Sequence, residues 1–137
     1  MYSEPVAKRK KHEVKFVDAL NTMSDPSIPL TTEEWEQWGN PNQQKYYNLM
    51  KEYSPYDNIT PNNYPHTLFL AGLNDPRVGY WEPAKFIAKL RHYRQNNNIL
   101  LLKTEMDEGH FGGSDRYKYL KQLAFEYAFV LKTYNMC

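Results

Sequence analysis

Cysteine is nearly missing: Cys137, the last residue, is the one thiol in 137 residues. A single thiol cannot close an internal disulfide, so a stapled secreted scaffold is excluded. Net charge is scarce too. Seventeen Lys and Arg against sixteen Asp and Glu leave +1 at pH 7, and no broad field draws the chain onto nucleic acid or an anionic membrane. No apolar run approaches the roughly 20 residues a membrane helix needs. The first residues lead into Lys8-Arg9-Lys10-Lys11 without the apolar stretch of a signal peptide. The expected setting is cytoplasmic, with neither nucleic acid nor membrane as partner. His12, His66, His92 and His110 show no paired metal-ligand spacing, and no glycine-rich phosphate loop is present. No metal or cofactor is expected.

Aromatic side chains are what the sequence has in quantity. Twelve tyrosines help bring aromatics to 15%, a large apolar payload with polar tips that suits a core lined by a wet cleft. The length and the 41% hydrophobic and 24% charged content fit one globular domain. The basic cluster Lys8–Lys11 has the composition of an anion or nuclear-import patch; a solvated, frayed leader over residues 1–15 is the plainer expectation.

Residues 14–17 alternate apolar and polar, as a short strand does. Residues 21–32, rich in Asn, Ser, Asp, Pro and Thr, read as a loop, with Pro26 and Pro29 against any helix. Thr32 before Glu33, Glu34 and Trp35 predicts a helix cap and first turn. Asn40-Pro41 predicts another helix with Pro at its first position, running to about Tyr53. Beyond it the pattern is clearer. The apolar run 67–71 ends at Gly72 and predicts a buried strand; 81–94 predicts a helix; 99–102 a second buried strand; and 117–134 a last helix whose apolar face is Leu120, Leu123, Ala124, Tyr127, Val130 or Leu131, and Tyr134. Fully apolar strands alternating with helices define an α/β fold with a parallel sheet covered on both faces. With two or three strands the sheet is narrow and reads as part of a larger one.

In such sheets, chemistry sits on the loops leaving the carboxyl ends of the strands. One loop carries Asp75 and the next carries His110, 35 residues on (110 − 75), room for one crossover helix and one strand. An aspartate beside a histidine fixes the imidazole tautomer and stabilises the imidazolium; the histidine then serves as general base and general acid. The glycines flanking His110 allow the tight turn that presents its ring. Most Asn-Asp-Pro aspartates are turn formers, and most lone histidines lie on surfaces, so position and order alone leave both readings standing. The hydrolase order places Ser first, then Asp, then His. Upstream of Asp75 stand Ser3, Ser24, Ser27 and Ser54, none in a Gly-x-Ser-x-Gly elbow. Ser114 follows Gly112-Gly113 but is succeeded by Asp115-Arg116 and comes after the histidine. Cys137 is terminal and not poised after a strand.

Longer segments carry a resemblance. Phe16-Val17-Asp18-Ala19-Leu20-Asn21-Thr22-Met23, the run from Ile28 to Pro41, and Tyr53-Ser54-Pro55-Tyr56-Asp57-Asn58 are similar to the prolyl oligopeptidase family of serine peptidases, in its oligopeptidase B subfamily. So are Ala71-Gly72-Leu73-Asn74-Asp75-Pro76-Arg77-Val78, Tyr80-Trp81-Glu82-Pro83-Ala84-Lys85 and Met106-Asp107-Glu108-Gly109-His110. The resemblance covers about residues 16–134 and implies the C-terminal portion of an α/β-hydrolase fold over 16–137. It implies Asp75 as triad acid, His110 as triad base, and Glu34 and Glu36 as the carboxylates that receive a basic P1 side chain of a peptide substrate. Read from local pattern alone, Glu34 and Glu36 are a solvated first helical turn favoured by the helix dipole.

Residues 1–15 stand where the family has its nucleophile elbow, and Lys15 replaces a usual proline. The family's propeller is not represented. The implied partners are therefore a basic-P1 peptide and the N-terminal part of the catalytic domain with its propeller, or a partner chain. Two functions compete: an oligopeptidase B-like serine endopeptidase represented by the portion bearing its acid and base, or a non-catalytic α/β remnant used for binding or assembly. An esterase with the same triad order leaves the Glu34 and Glu36 segment unexplained.

Overall fold

The computed structural model describes residues 10–13, 16–106 and 116–136. Its centre is a three-stranded parallel sheet in the order β1 (Lys10–Glu13), β2 (Thr67–Gly72), β3 (Leu100–Glu105). Lys10 pairs with Thr67, and Thr67 with Leu100, so the three strands start level and their carboxyl ends share one edge. Between β1 and β2 the chain makes α1 (Ala19–Ser24), α2 (Thr31–Trp38) and α3 (Gln44–Tyr53). α4 (Trp81–Tyr93) crosses from β2 to β3, and α5 (Arg116–Thr133) closes the described chain.

β2 shows why both faces need cover. Phe69 points into a cluster with Val17, Ile59, Ile87, Leu90 and Leu100, under α4. Its neighbours Leu68 and Leu70 point the other way and meet Phe129 of α5, as the two-residue period of a strand requires. A third cluster joins α1 to α3 through Leu20, Met23 and Met50.

Several boundaries differ from the sequence reading, each for a tertiary reason. The first strand lies at Lys10–Glu13, inside the expected leader, where it pairs with β2. Of the segment expected as a strand, Val14 and Lys15 lie outside the described residues, and Phe16 and Val17 are not in a strand. The Val17 amide is taken by the Glu82 carboxylate and its carbonyl by the Tyr56 amide, leaving nothing for a ladder. Residues 21–24, expected in a loop, belong to α1, a short helix packed through Leu20 and Met23 and held through Thr22. α2 starts at Thr31, not after a Thr32 cap. Leu30 precedes it at φ 71°, a left-handed conformation costing a side-chain-bearing residue about 1–2 kcal/mol. Pro41 sits in a turn closed by the Gln43 amide on the Asn40 carbonyl, three residues before α3 begins. β3 runs on to Glu105, past the expected end at 102. On α5 the buried residues are Phe129 and Thr133. Leu120, Tyr127, Val130, Leu131 and Tyr134, expected to face the core, are exposed. Apolar residues surround this helix, so periodicity selects no face.

Candidate active site and specificity cleft

Asp75 lies on the loop that leaves the carboxyl end of β2. The carboxyl group is largely buried, and one oxygen, Oδ1, accepts the backbone amides of Arg77 at 2.8 Å and Val78 at 3.0 Å. This Asx-type turn fixes the carboxylate with its own loop. The same loop is tied to the end of β3. The Leu73 amide donates to the Glu105 carbonyl at 2.9 Å, and the Asn74 side-chain amide to the Met106 carbonyl at 3.3 Å. The chain leaves Met106 towards His110, which, with residues 107–115, lies outside the described residues. The Asp75 loop and the strand that precedes His110 in the sequence thus belong to adjacent parallel strands, β2 and β3, at the sheet's carboxyl edge.

Glu34 and Glu36 are both on α2, and the helix separates them. Residues two apart on a regular helix point to opposite sides. Glu34 is half-buried and faces a cleft of about 220 Å³ shared with Phe16, Met23, Leu30 and Arg77. Glu36 is exposed and does not line that cleft. The walls mix apolar side chains with the hydroxyls of Thr22 and Thr31, the Glu34 carboxylate is the acidic group, and Arg77, two residues past Asp75, brings the Asp75 loop to the same cleft.

Sequence reasoning missed the buried polar network behind this cleft. Glu82, in the first turn of α4, is fully buried. Its Oε2 accepts the Val17 and Asp18 amides, each at 3.0 Å, and its Oε1 accepts the Thr22 hydroxyl at 2.6 Å. Burial raises its pKa above the usual carboxylate value; the three donors act the other way, and the nearby Asp18 carboxylate adds to the rise. Asp18, also buried, accepts from Asn21 at 2.6 Å and from the Lys85 ammonium at 2.5 Å. That bond raises the Lys85 pKa. Asp18 and Glu82 stand within segments quoted for the family resemblance, but their contact spans 64 residues and no local pattern announces it.

A parallel sheet with helices on both faces, and an Asp75 loop tied to the end of β3 at its carboxyl edge, defines the C-terminal portion of an α/β-hydrolase domain. The chain belongs to the prolyl oligopeptidase family, whose model matches residues 12–137. It is 55% identical over 118 residues to Protease 2 of Moraxella lacunata, covering 86% of this chain and 17% of that protein. Over the same length it is 44% identical to dipeptidyl aminopeptidase BI of Pseudoxanthomonas mexicana, covering 86% of this chain and 16% of that one. The structure of oligopeptidase B from Leishmania major superposes with a TM-score of 0.89 at 52% identity, over 94% of this chain and 18% of that chain. The chain therefore spans less than a fifth of the length of these relatives.

Proposed function

We propose that this chain supplies the acid, the base and the P1 cleft of a serine endopeptidase that cleaves peptides after Arg or Lys. The observation that carries the proposal is the Asp75 loop: a buried carboxylate at the end of β2, hydrogen-bonded through its neighbours to the end of β3, from which the chain runs to His110. In this reading Asp75 accepts from His110 and holds the tautomer whose free nitrogen takes the proton of an attacking serine. That serine comes from the N-terminal portion of the catalytic domain or a partner chain, since no elbow motif stands upstream of Asp75. His110 then returns the proton to the leaving amine.

Specificity follows from the cleft. The apolar side chains of the lining, Phe16, Met23 and Leu30 among them, accept the methylene stem of Arg or Lys, and Glu34 receives the cationic tip. A charge-assisted hydrogen bond there contributes about 1.5–3 kcal/mol. Glu36, on the outer side of α2, adds negative field at the approach.

The test joins residues 16–137 to the nucleophile-bearing portion of Leishmania major oligopeptidase B. Peptides differing only at P1 are then compared by kcat/KM. Arg should be preferred to Phe by about 10- to 100-fold or more, with Glu34→Gln removing most of the preference and Glu36→Gln a smaller part. Equal rates for Arg and Phe overturn the specificity; loss of no activity on Asp75→Asn or His110→Ala overturns the triad. The 137 residues alone should take no label from a fluorophosphonate; stoichiometric labelling of one serine shows a nucleophile within them.

A further inference from the structure

We infer that Glu82 is a positioning residue: it ties the wall carrying Glu34 to the loop carrying Asp75, and so sets the shape of the cleft between them. The inference rests on reading that cleft as the P1 site, and the geometry forms an unbroken chain. Asp75 fixes its own loop through the Arg77 and Val78 amides. The loop passes directly into α4, where the Glu82 amide donates to the Gly79 carbonyl at 3.0 Å. The Glu82 side chain then reaches across to Val17, Asp18 and Thr22, at the entry to and within α1. Lys85, three residues further along α4, clasps Asp18 from the same side.

α1 in turn carries α2. The Trp35 indole donates to the Met23 carbonyl at 3.0 Å, and the Thr31 hydroxyl to the Thr22 carbonyl at 3.4 Å. Trp35 adjoins Glu34, and Thr22 and Met23 themselves line the cleft. One carboxylate, removed from the cleft by a layer of chain, therefore holds the joint between the acid loop and the specificity arm.

An apolar residue would fill the space but not this role. Two backbone amides and a hydroxyl would lose their acceptor inside the protein, and a buried donor left unpaired is destabilising. The joint would reopen to find other partners. Glutamine keeps the volume and one carbonyl oxygen for the two amides, and its amide group can meet Thr22 only as a donor to the hydroxyl oxygen.

The test compares Glu82→Ala, Glu82→Gln and Thr22→Val in the joined enzyme described above. Glu82→Ala should raise KM for Arg peptides about tenfold, change kcat less, and lower the Arg-over-Phe ratio. Glu82→Gln should recover most of this, and Thr22→Val should show a smaller effect of the same kind. Hydrogen exchange supplies a readout independent of catalysis. The Val17 and Asp18 amides should lose protection in Glu82→Ala and keep part of it in Glu82→Gln, while the amides of β2 and β3 stay protected. If KM and the P1 ratio stay at parental values while only the amount of active enzyme falls, Glu82 is structural support and the inference fails. If the parent shows no Arg preference, the P1 reading fails by itself. The exchange pattern then decides the joint: unchanged protection at Val17 and Asp18 overturns it.

Discussion

The two faces of the sheet are unequally finished. Under α4, Phe69 meets Val17, Ile59, Ile87, Leu90 and Leu100, with Tyr56, Phe86 and Tyr93 packed around them. Under α5, the described residues that meet Leu68 and Leu70 are Phe129 and Ile99, while Tyr117, Tyr119 and Tyr127 stand more than half exposed. The α4 face is closed by residues of this chain. Among the described residues, the α5 face carries apolar side chains left exposed, in a chain spanning under a fifth of its relatives' length. The difference separates what this chain must build alone, the cleft side, from what longer relatives have further residues to cover.

The comparison breaks first at its two phenylalanines. Phe69 is 1% exposed, and its ring lies 5.3 Å from that of Phe86. Phe69→Ala should cost about 3–5 kcal/mol in urea unfolding of the chain, because a closed core cannot collapse into the space. Phe129, at 8% exposed on the open side, should cost roughly half as much on the same substitution, since solvent replaces part of what is lost. Equal losses would mean that the α5 face is as tightly packed as the other.

The cleft-side network sharpens the comparison through pH. The folded pKa of Glu82 is raised, first by burial, above the ordinary glutamate value of 4.5. Between 4.5 and the raised value, the folded state binds the more protons, so stability falls as pH rises through that window. Above it, the cost of ionising a buried carboxylate is fully present. Lys85 works at the other end: its bond to Asp18 raises its pKa above 10.5, so its stabilising contribution holds below 10.5 and is lost as pH rises through the folded value. The expected profile of urea midpoint against pH therefore declines on the acid side and again on the alkaline side. Glu82→Gln should flatten the acid limb and Lys85→Met the alkaline limb. An acid limb unchanged by Glu82→Gln would assign it to other carboxylates.

How far the sequence reached depended on whether an element's cause was local. β2, α4 and β3 were legible because the apolar run 67–71 ends in Gly72 and the helical pattern follows at the right distance. Asp75 was legible as a residue at a strand end. α1 was not, because Asn21, Thr22 and Ser24 favour caps and turns by propensity, and the helix is secured by Glu82, 60 residues beyond Thr22. Glu82 itself reads as an ordinary acidic residue in a first helical turn. The roles expected for Glu34 and Glu36 came from family resemblance, and only the fold separates the one at the cleft from the one outside it. The α5 face misled because its apolar residues include several that stand exposed among the described residues.

Tyr127 and Leu131 lie one helical turn apart on α5 and are 61% and 40% exposed. They have no place in the clusters that close the sheet, so replacing both with Lys should change the unfolding free energy of the chain by no more than about 0.5 kcal/mol each. Self-association should respond instead. A contiguous exposed apolar patch promotes contact between chains, and two charges within it raise the cost of burying it. Sedimentation across a concentration series should show less association for Tyr127→Lys with Leu131→Lys than for the parent, at nearly the same urea midpoint. An unfolding free energy falling by more than about 1 kcal/mol per substitution would show that α5 packs through these residues after all. The sheet would then have two finished faces, and the asymmetry that distinguishes the cleft side would be lost.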